Sequence, residues 1–252
     1  MDTGSLEYNV ICVKWGDKFS PEHVNRLYRM AKKNISLPFN FYCWTEDTAG
    51  LYDEINIVPL DETLDLKAWW WKLTLFKKNN LKGINLFLDL DVVIQNNIDH
   101  LFNKVEHDKL VLIDRSISSL LENTLKHSWM DIRNKITTTS WNSSIMIWYN
   151  NENCDLYEKF IFNIKLYTKL YIGIDRFFTH EISKNKFLDI GTDNYYMRCS
   201  IIPNVKYGKS NLSYIRKNNK LITLFFDPNK PICIFNGCHQ KEFYKNMEDY
   251  LL

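Results

Sequence analysis

Strand and helix signals alternate along the first part of the chain, and this alternation limits the folds that it can adopt. Four runs have the apolar, β-branched and aromatic composition of strands, at residues 8–14, 39–44, 55–60 and 84–94. Helical apolar spacing separates them twice, once after Ser20 and Pro21 and once between Leu66 and Phe76. The resulting β-α-β-β-α-β order is typical of helices packed on a largely parallel sheet. We therefore predict an α/β, Rossmann-like fold.

The second half of the chain is less regular. Further strands are predicted at residues 109–114, 143–149, 221–226 and 231–235. Residues 155–186 are predicted to be mostly helical, and residues 116–135 are polar and mixed, which fits either a helix or a loop. No internal repeat or linker interrupts the sequence. We therefore predict a single domain over residues 1–252, with a central, mostly parallel sheet flanked by helices and a small antiparallel addition.

Composition excludes several classes of protein. Hydrophobic residues make up 45% of the chain and charged residues 25%, which is ordinary for a globular protein and excludes a wholly disordered one. The formal net charge is only +2, so there is no overall basic field and nucleic acid is not an expected partner. Aromatic residues reach 15%, with only 8 Gly and 6 Pro, which favours a densely packed body with aromatic-lined clefts.

Cysteine usage and the terminal sequence predict the compartment. The six cysteines are scattered without a C-x-x-C pair, and Cys12, Cys43 and Cys233 lie in apolar strand-like runs. We therefore predict buried free thiols in a reducing compartment. The N-terminus lacks the regions of a signal peptide, and no apolar run approaches the roughly 20 residues that span a bilayer. The expectation is a soluble, cytoplasmic protein without a transmembrane segment.

A pair of carboxylates follows the most apolar of the predicted strands. Asp89 and Asp91 form a D-x-D triplet where the apolar run INLFL ends. Residues i and i+2 of a strand point to the same face, so both carboxylates can converge on one cation. Ligands of open α/β sheets bind beyond the carboxyl ends of strands, and hard oxygen ligands suit Mg²⁺ or Mn²⁺, which bridge phosphate oxygens. The alternative is a solvated turn in which one Asp caps a helix.

Several segments resemble the GT-A glycosyltransferases, especially family 8 and its short bacterial and viral relatives, and they occur in the family's order. LFLDLDVVIQNNIDHLF resembles the family's YLDxD segment, and WNSSIMIW resembles its FNSGVMLW segment. VICVKWG and FYCWTED resemble the first two strands with their turns, and WWWKLTLF resembles the helix that carries a basic residue ahead of the metal motif. IGIDRFF resembles the GDQ region, and PICIFNGCHQKE the closing HFxGxxKPW segment. The resemblance covers roughly residues 8–242.

The resemblance implies a GT-A-like domain in which residues 8–94 bind the nucleotide and residues 95–252 bind sugar and acceptor. It implies a hexosyltransferase that moves a sugar from a nucleotide-sugar donor, most often a UDP-sugar, to a hydroxyl of a glycan, lipid-linked or protein acceptor. It also implies Mn²⁺ (or Mg²⁺) on the donor diphosphate and retention of anomeric configuration. The chemistry fits the carboxylate pair, because a held cation neutralises the charge that builds on the leaving nucleoside diphosphate.

The same match implies roles for individual residues on the sugar side. Asp91 is implied as a direct metal ligand, and Asp89 as a second ligand that also contacts the ribose. Lys72 matches the basic residue that meets the donor phosphates or sugar. Asn142 matches the residue that faces the donor sugar, and Asp175, one residue out of register, matches the carboxylate that touches sugar hydroxyls or steadies the anomeric cation.

Simpler roles stand beside three of these. Lys72 would otherwise be a snorkelling surface lysine. Asn142 would form a turn before a strand, and Asp175 would be the N-cap of the following helix. Ser144 stands where the family often has Gly, so close backbone approach to the sugar is not expected there.

On the nucleotide side, the resemblance points to the ends of the first two strands. Lys14, Trp15 and Gly16 match the turn that lies beneath the nucleotide. Thr45 and Asp47 follow the second strand, where they would meet the base or the ribose.

The third metal ligand is the point at which the sequence departs most from the family. Ile234 stands where the family has its His, which leaves Asn236 or His239 to complete the metal shell. His239 is favoured because imidazole suits Mn²⁺ and the family's ligand is His. Lys241 stands in for the phosphate-contacting Lys, one residue out of register.

Three consecutive tryptophans precede the carboxylate pair. A helical stripe places Trp69 and Trp70 in the core and leaves Trp71 to line an acceptor groove.

Two rival functions remain beside the transferase. A nucleotidyltransferase also uses paired Asp and Mg²⁺, but it usually has a Gly-rich basic loop after the first strand, and the loop here, KWGDKF, has one Gly. A degenerate sugar-nucleotide binding protein without turnover is the second rival, because the family's His is absent.

Overall fold

The apolar runs of the first half supply four of the seven strands of the central sheet. The computed structural model describes residues 6–78, 81–115, 139–197, 199–200, 213–217, 220–224 and 227–235. The central sheet has seven strands: β1 (Tyr8–Lys14), β2 (Asn40–Thr45), β3 (Asn56–Pro59), β4 (Ile84–Leu88), β6 (Leu110–Asp114), β7 (Trp141–Tyr149) and β8 (Phe187–Asp189). Their spatial order is β3-β2-β1-β4-β7-β6-β8, and within this sheet only β7 runs against the others. The predicted α/β fold with a mostly parallel sheet is confirmed.

Two three-stranded sheets form the small addition. One contains β5 (Val92–Ile94), β13 (Ile232–Ile234) and β9 (Tyr195–Met197), with β13 in the centre, antiparallel to β5 and parallel to β9. The other is fully antiparallel and contains β10 (Cys199–Ser200), β12 (Lys220–Leu224) and β11 (Ser213–Lys217). In the first of these sheets, β5 follows β4 in the chain after only three residues, Asp89–Asp91. This sheet therefore borders the carboxylate pair.

Helices pack on both faces of the central sheet. The α-helices are α1 (Pro21–Asn34), α2 (Cys154–Phe162), α3 (Ile164–Leu170) and α4 (Ile174–Glu181). Short 3-10 helices are Glu62–Leu64, Ala68–Phe76, Asp99–Lys104, Lys184–Lys186 and Thr192–Asn194. The start of α1 is fixed as predicted, because Pro21 occupies the first turn and the Ser20 N–H donates to His23 Nδ1 at 3.1 Å.

The central strands are buried on both faces, as expected for a parallel sheet. In β1, Val10 and Cys12 join the core cluster that contains Leu27 of α1, whereas Ile11 joins the cluster on the opposite face. That second cluster is the aromatic one, in which Trp70 stacks on Phe160 of α2 at 5.2 Å between ring centroids. Each fully buried side chain of this kind contributes about 1.5–3 kcal/mol to folding. Part of the high aromatic content of the sequence thus lies in this second core cluster.

Three sequence predictions differ from the structure in detail. The run at residues 84–94 is two strands, β4 and β5, joined by a turn at Asp89–Asp91. The stretch predicted as an α-helix around residues 66–76 is the 3-10 helix Ala68–Phe76. The strand predicted at 143–149 begins two residues earlier, at Trp141, so Asn142 lies inside β7 rather than in a turn before it.

Other predictions are confirmed or lie outside the described residues. Cys12, Cys43 and Cys233 are buried free thiols, as predicted. Residues 116–135 lie outside the part of the chain that the structure describes. Within the described part, no helix is both long and apolar enough to cross a bilayer. The division of the chain into a single domain over residues 1–252 stays a prediction.

Candidate active site

The two aspartates of the D-x-D triplet lie in the turn between β4 and β5. This aspartate turn, Asp89–Asp91, is closed by the Val92 N–H, which donates to the Asp89 carbonyl at 3.1 Å. The Asp89 N–H donates to the Ser144 carbonyl at 3.0 Å, and the Phe235 N–H donates to the Asp91 carbonyl at 3.0 Å. The turn is therefore held between β7 on one side and the end of β13 on the other.

Both carboxylates line a cavity of about 400 Å³ at the carboxyl ends of β1 and β4. That both carboxylates converge on one cation stays a prediction, but the reason given for their common orientation was wrong. Asp89 and Asp91 share the cavity because a turn brings them there, not because a strand alternates its side chains.

Lys72 is the closest partner of the first aspartate. Its Nζ lies 2.7 Å from Asp89 Oδ1 and 2.8 Å from Oδ2, and it donates to the Ser143 carbonyl at 3.2 Å. The Lys72 side chain is only 11% exposed, so it is an internal ion-pair partner and not a snorkelling surface lysine.

The electrostatics of Asp89 reflect this crowded setting. Burial raises the pKa of Asp89, and the positive charge of Lys72 lowers it. Burial has the larger effect, so the pKa of Asp89 is about 6. The nearby negative charges of Asp91 and Asp175 add to the upward shift in the pKa. Asp89 is therefore a carboxylate whose protonation changes within one unit or so of neutral pH.

Asp91 carries the clearest signal of a missing partner. Its Oδ1 is buried and accepts no hydrogen bond from any described residue. An unpartnered buried carboxylate oxygen is costly, and a divalent cation beside Asp89 would satisfy it. The donor set of the described residues fits Mg²⁺ or Mn²⁺, since both ligands are hard oxygens.

The described residues supply two of the three predicted metal ligands. No group of three His, Cys, Asp or Glu side chains placed to hold a metal occurs among them. The candidates for the third position, Asn236 and His239, and the predicted phosphate contact Lys241 lie outside the described residues.

Asp175 joins α4 to the start of β7 through three hydrogen bonds. Asp175 Oδ1 accepts from the Ser143 N–H at 3.0 Å and from Ser143 Oγ at 2.6 Å, and Oδ2 accepts from Asn142 Nδ2 at 3.1 Å. The N-cap of α4 is Gly173, so Asp175 is not the N-cap. Asn142, also buried, directs its amide oxygen back to the Ser144 N–H at 3.1 Å. The structure thus brings the predicted residues Asn142 and Asp175 together in the cavity wall.

The tryptophan triplet lies differently from the prediction. Trp69 is 46% exposed and lines the cavity, whereas Trp71 is only 2% exposed. The helix Ala68–Phe76 is a 3-10 helix, with three residues per turn, so side chains three apart share a face. Trp69 and Lys72 therefore face the cavity together, and Trp70 and Leu73 face the core. The assignment of Trp69 to the core and of Trp71 to a groove was wrong, because the period assumed was 3.6 residues.

Gly173 permits the position of the Trp69 indole. A Cβ atom on Gly173 would lie 2.5 Å from Trp69 Nε1, closer than side chains approach. Both residues line the cavity. The glycine is thus required by close approach of an aromatic ring to the backbone.

Most of the predicted nucleotide-side residues form a separate cluster. Of the five, Trp15 lines the cavity and the other four do not. Lys14 Nζ lies 3.8 Å from Asp47 Oδ2, and Thr45 Oγ1 accepts from the Asp47 N–H at 3.1 Å. Gly16 has a left-handed φ of 61° and donates its N–H to Glu46 Oε1 at 2.6 Å. These residues order the ends of β1 and β2 beside the cavity.

Of the polar residues of the cavity wall that sequence reasoning missed, three bear most directly on the chemistry. Ser143 links Lys72 and Asp175, since its carbonyl accepts from Lys72 and its hydroxyl donates to Asp175. Lys18 and Arg176 also line the cavity. Arg176 directly follows Asp175 in the segment IGIDRFF, which was the available signal. Lys18 had none beyond its place after β1.

The sheet order and the position of the site define the class of fold, which is that of the GT-A-like glycosyltransferases, as predicted. The galactosyltransferase LgtC, in complex with donor and acceptor sugar analogues, has a TM-score of 0.55 to this chain at 10% identity, over 75% of each chain. A mutant of LgtC in which an active-site glutamine is replaced by glutamate has a TM-score of 0.58 at 10% identity, over 91% of this chain and 87% of LgtC.

A third solved structure with this fold is the glycosyltransferase GlyE of Streptococcus pneumoniae TIGR4. Its TM-score is 0.50 at 8% identity, over 73% of this chain and 45% of GlyE. No sequence model of a protein family and no curated protein sequence matches the chain. At these identities the solved structures establish the fold of this chain.

Proposed function

We propose that the protein is a metal-dependent glycosyltransferase that moves a sugar from a nucleotide-sugar donor to an acceptor hydroxyl. The observation that carries the proposal is the aspartate turn, where Asp91 Oδ1 is buried without a partner beside Asp89 in a cavity. The fold supports it, since LgtC has that fold and its structure holds donor and acceptor sugar analogues. We further propose a UDP-sugar as donor and retention of anomeric configuration.

The charges of the cavity suit a diphosphate together with a divalent cation. Three carboxylates line it, those of Asp89, Asp91 and Asp175, and three cationic side chains line it as well, those of Lys18, Lys72 and Arg176. Lys72 is committed to Asp89. Lys18 and Arg176 make no ion pair with any described residue in the structure, so both are available to phosphate oxygens.

Asp91 and Asp89 would hold the cation. When bound, Mn²⁺ or Mg²⁺ supplies Lewis-acid neutralisation of the leaving nucleoside diphosphate. Lys72 keeps Asp89 largely ionised near neutral pH, because its ammonium opposes the effect of burial on the Asp89 pKa. It also places a fixed positive charge in the cavity wall, where it would oppose the negative charge that develops on the leaving group.

Asp175 is suited to electrostatic stabilisation of a sugar cation. Both of its oxygens accept hydrogen bonds, from Ser143 and Asn142. These bonds stabilise the carboxylate and lower its nucleophilicity, so its contribution is a fixed negative charge near the oxocarbenium-like transition state. Asn142 and Ser143 therefore act as positioning residues for Asp175.

A donor panel tests the proposal. The protein is incubated with UDP-, GDP- and ADP-sugars and Mn²⁺, and nucleotide release is followed. We expect slow hydrolysis of a UDP-sugar that EDTA abolishes. The Asp91→Asn variant should lose at least about 10²-fold in kcat, while Asp53→Asn, an exposed acidic residue outside the cavity, should leave the rate unchanged.

Two results would contradict the proposal. Release of diphosphate from a nucleoside triphosphate and a sugar phosphate would show a nucleotidyltransferase. Donor binding without turnover, with candidate acceptors present, would show a degenerate sugar-nucleotide binding protein.

A further inference from the structure

Among the described residues, exposed large apolar side chains are concentrated between residues 162 and 172. Phe162 is 85% exposed, Leu166 52%, Leu170 41% and Ile172 68%. These four side chains, which we call the α3 patch, fall within eleven residues of sequence that contain the end of α2 and the whole of α3. Isolated exposed apolar residues are normal, but a cluster of this kind marks a surface that binds something.

The α3 patch reaches the mouth of the cavity. Leu166 and Leu170 are four residues apart in α3 and so lie on one face of that helix. Ile172 follows directly and lines the cavity together with Trp69, which is itself 46% exposed. An apolar surface therefore runs from the rim of the candidate active site along α3.

The charged residues within the sequence of the α3 patch are both lysines. Lys165 and Lys169 are exposed, four residues apart, and their ammonium groups make no hydrogen bond or ion pair with a described residue. No Asp or Glu occurs from residue 159 to residue 174. α3 is anchored to the body of the protein by buried Tyr167, whose ring packs edge-on against Phe177 at 5.0 Å. The helix is thus fixed to the body of the protein with its apolar and cationic side chains outward.

We propose that the α3 patch docks on an anionic lipid bilayer surface and presents the cavity to an acceptor at that surface. Leucine, phenylalanine and tryptophan side chains flanked by lysines are the signature of a helix that lies in the membrane interface. Each lysine near an anionic leaflet strengthens binding by about fivefold. A protein partner fits less well, because lysine is depleted in protein interfaces. The presence of an acceptor at that surface rests on the proposed function, whereas the docking itself does not, since it is measured without donor or acceptor.

Vesicle sedimentation tests the docking. The whole protein is mixed at low salt with vesicles of phosphatidylcholine that contain phosphatidylglycerol, and with vesicles of phosphatidylcholine alone. We expect binding to the anionic vesicles, weaker binding to the neutral ones, and weakening of the former at high salt because surface charges are screened.

Matched variants assign the binding to the patch. Lys165→Glu/Lys169→Glu and Leu166→Gln/Leu170→Gln should each weaken binding to anionic vesicles at least about tenfold. Lys32→Glu/Lys33→Glu at the exposed end of α1 and Leu6→Gln, a 46% exposed leucine elsewhere, should leave it unchanged. Circular dichroism melts confirm that the variants fold, which is expected because all the substituted side chains are exposed.

Several outcomes would overturn the proposal. They are no binding to anionic vesicles at low salt, equal binding by the patch variants, or equal binding to neutral vesicles. A dimer in solution that Leu166→Gln/Leu170→Gln dissociates would show that a second copy of the chain covers the patch instead.

Discussion

The contact between Gly173 and Trp69 shows how single residues shape the cavity. The indole lies where a Cβ on residue 173 would stand, and the same face of the 3-10 helix carries Lys72 toward Asp89. The glycine, the tryptophan and the ion pair all line the candidate site, and the Gly173–Trp69 contact makes the position of the indole depend on the residue at 173.

The Gly173→Ala substitution should act through Trp69. The added methyl group displaces the indole, and we expect kcat/KM to fall by about tenfold, since small misplacements in a site are costly. In a Trp69→Ala background the same substitution should cost little, because nothing remains to be displaced. The measurement is a double-mutant cycle on kcat/KM. Additive effects of the two substitutions would contradict the contact.

The shifted pKa of Asp89 predicts a pH dependence of metal binding. The pKa of about 6 means that Asp89 is neutral at pH 5 and ionised at pH 7. Mn²⁺ affinity, measured by calorimetry, should therefore fall up to about tenfold per pH unit below 6, because protons compete with the cation. In Asp89→Asn this part of the pH dependence should vanish, and its persistence would assign the titration to another group.

The raised pKa of Asp89 also makes the folded state less stable as the pH rises. Because the folded pKa of Asp89 lies above its usual value of 3.8, the unfolded chain ionises first as the pH rises. The favourable contribution of Asp89 to folding is complete below about pH 3.8 and is lost as the pH rises through about 6. Without metal, Asp89 therefore opposes folding at neutral pH.

Much of the residue-scale site could be predicted from sequence, and the failures have physical causes. Asp89 and Asp91 were found because carboxylates that end an apolar run carry their own chemical signal. Trp69 was assigned to the core because the sequence does not distinguish a 3-10 helix from an α-helix, and the two differ in the number of residues per turn. Lys18 carries no signal at all, because only the folded turn after β1 places it at the cavity.

At the scale of elements, the helix Ala68–Phe76 divides its tryptophans between core and cavity. Trp71 is 2% exposed, and its Nε1 is buried without a hydrogen-bond partner among the described residues. Trp69, two positions earlier, is half in solvent. The stability of the element should therefore depend on the third tryptophan and not on the first.

Urea denaturation of three variants tests this division. Trp71→Ala should lower the free energy of unfolding by about 3–5 kcal/mol, because it leaves a large cavity. Trp71→Phe should cost clearly less, since it keeps most of the volume and removes an unsatisfied donor. Trp69→Ala should cost under about 1 kcal/mol, as expected for a partly exposed side chain. A larger loss in the free energy of unfolding for Trp69→Ala than for Trp71→Ala would contradict this assignment and would favour an α-helix with 3.6 residues per turn.

Which strands pair with each other, and in which direction, could not be predicted from the sequence. The runs themselves were located within a few residues, because apolar and β-branched composition is local information. The antiparallel direction of β7 between β4 and β6 depends on which strands lie beside it. That insertion places Ser144 against the Asp89 backbone and Ser143 against Lys72, so the tertiary pairing, and not the local motif, assembles the site.

At the scale of the whole molecule, ligand and stability should be coupled. A UDP–Mn²⁺ complex that binds only the folded chain would add RT ln(1 + [L]/Kd) to stability as a single ligand. With UDP and Mn²⁺ together at about 100 times Kd, the gain is about 2.7 kcal/mol, which raises Tm by roughly 5–10 °C for a chain of this size. UDP without Mn²⁺, or both ligands with Asp91→Asn, should give a small shift in thermal denaturation. Equal shifts with and without Mn²⁺ would contradict the joint site.

The aspartate turn also sets when the site can appear during folding. Its backbone is held by Ser144 from β7 and by Phe235 after β13, both far along the chain from residue 89. Contacts that close such long loops form late, because the loop entropy must be overcome first. A chain still emerging from the ribosome, or one that stops short of β13, would present the D-x-D sequence without the geometry that holds a cation. Metal affinity would thus report completed folding, because the backbone of the aspartate turn has all of its partners only once β13 has joined.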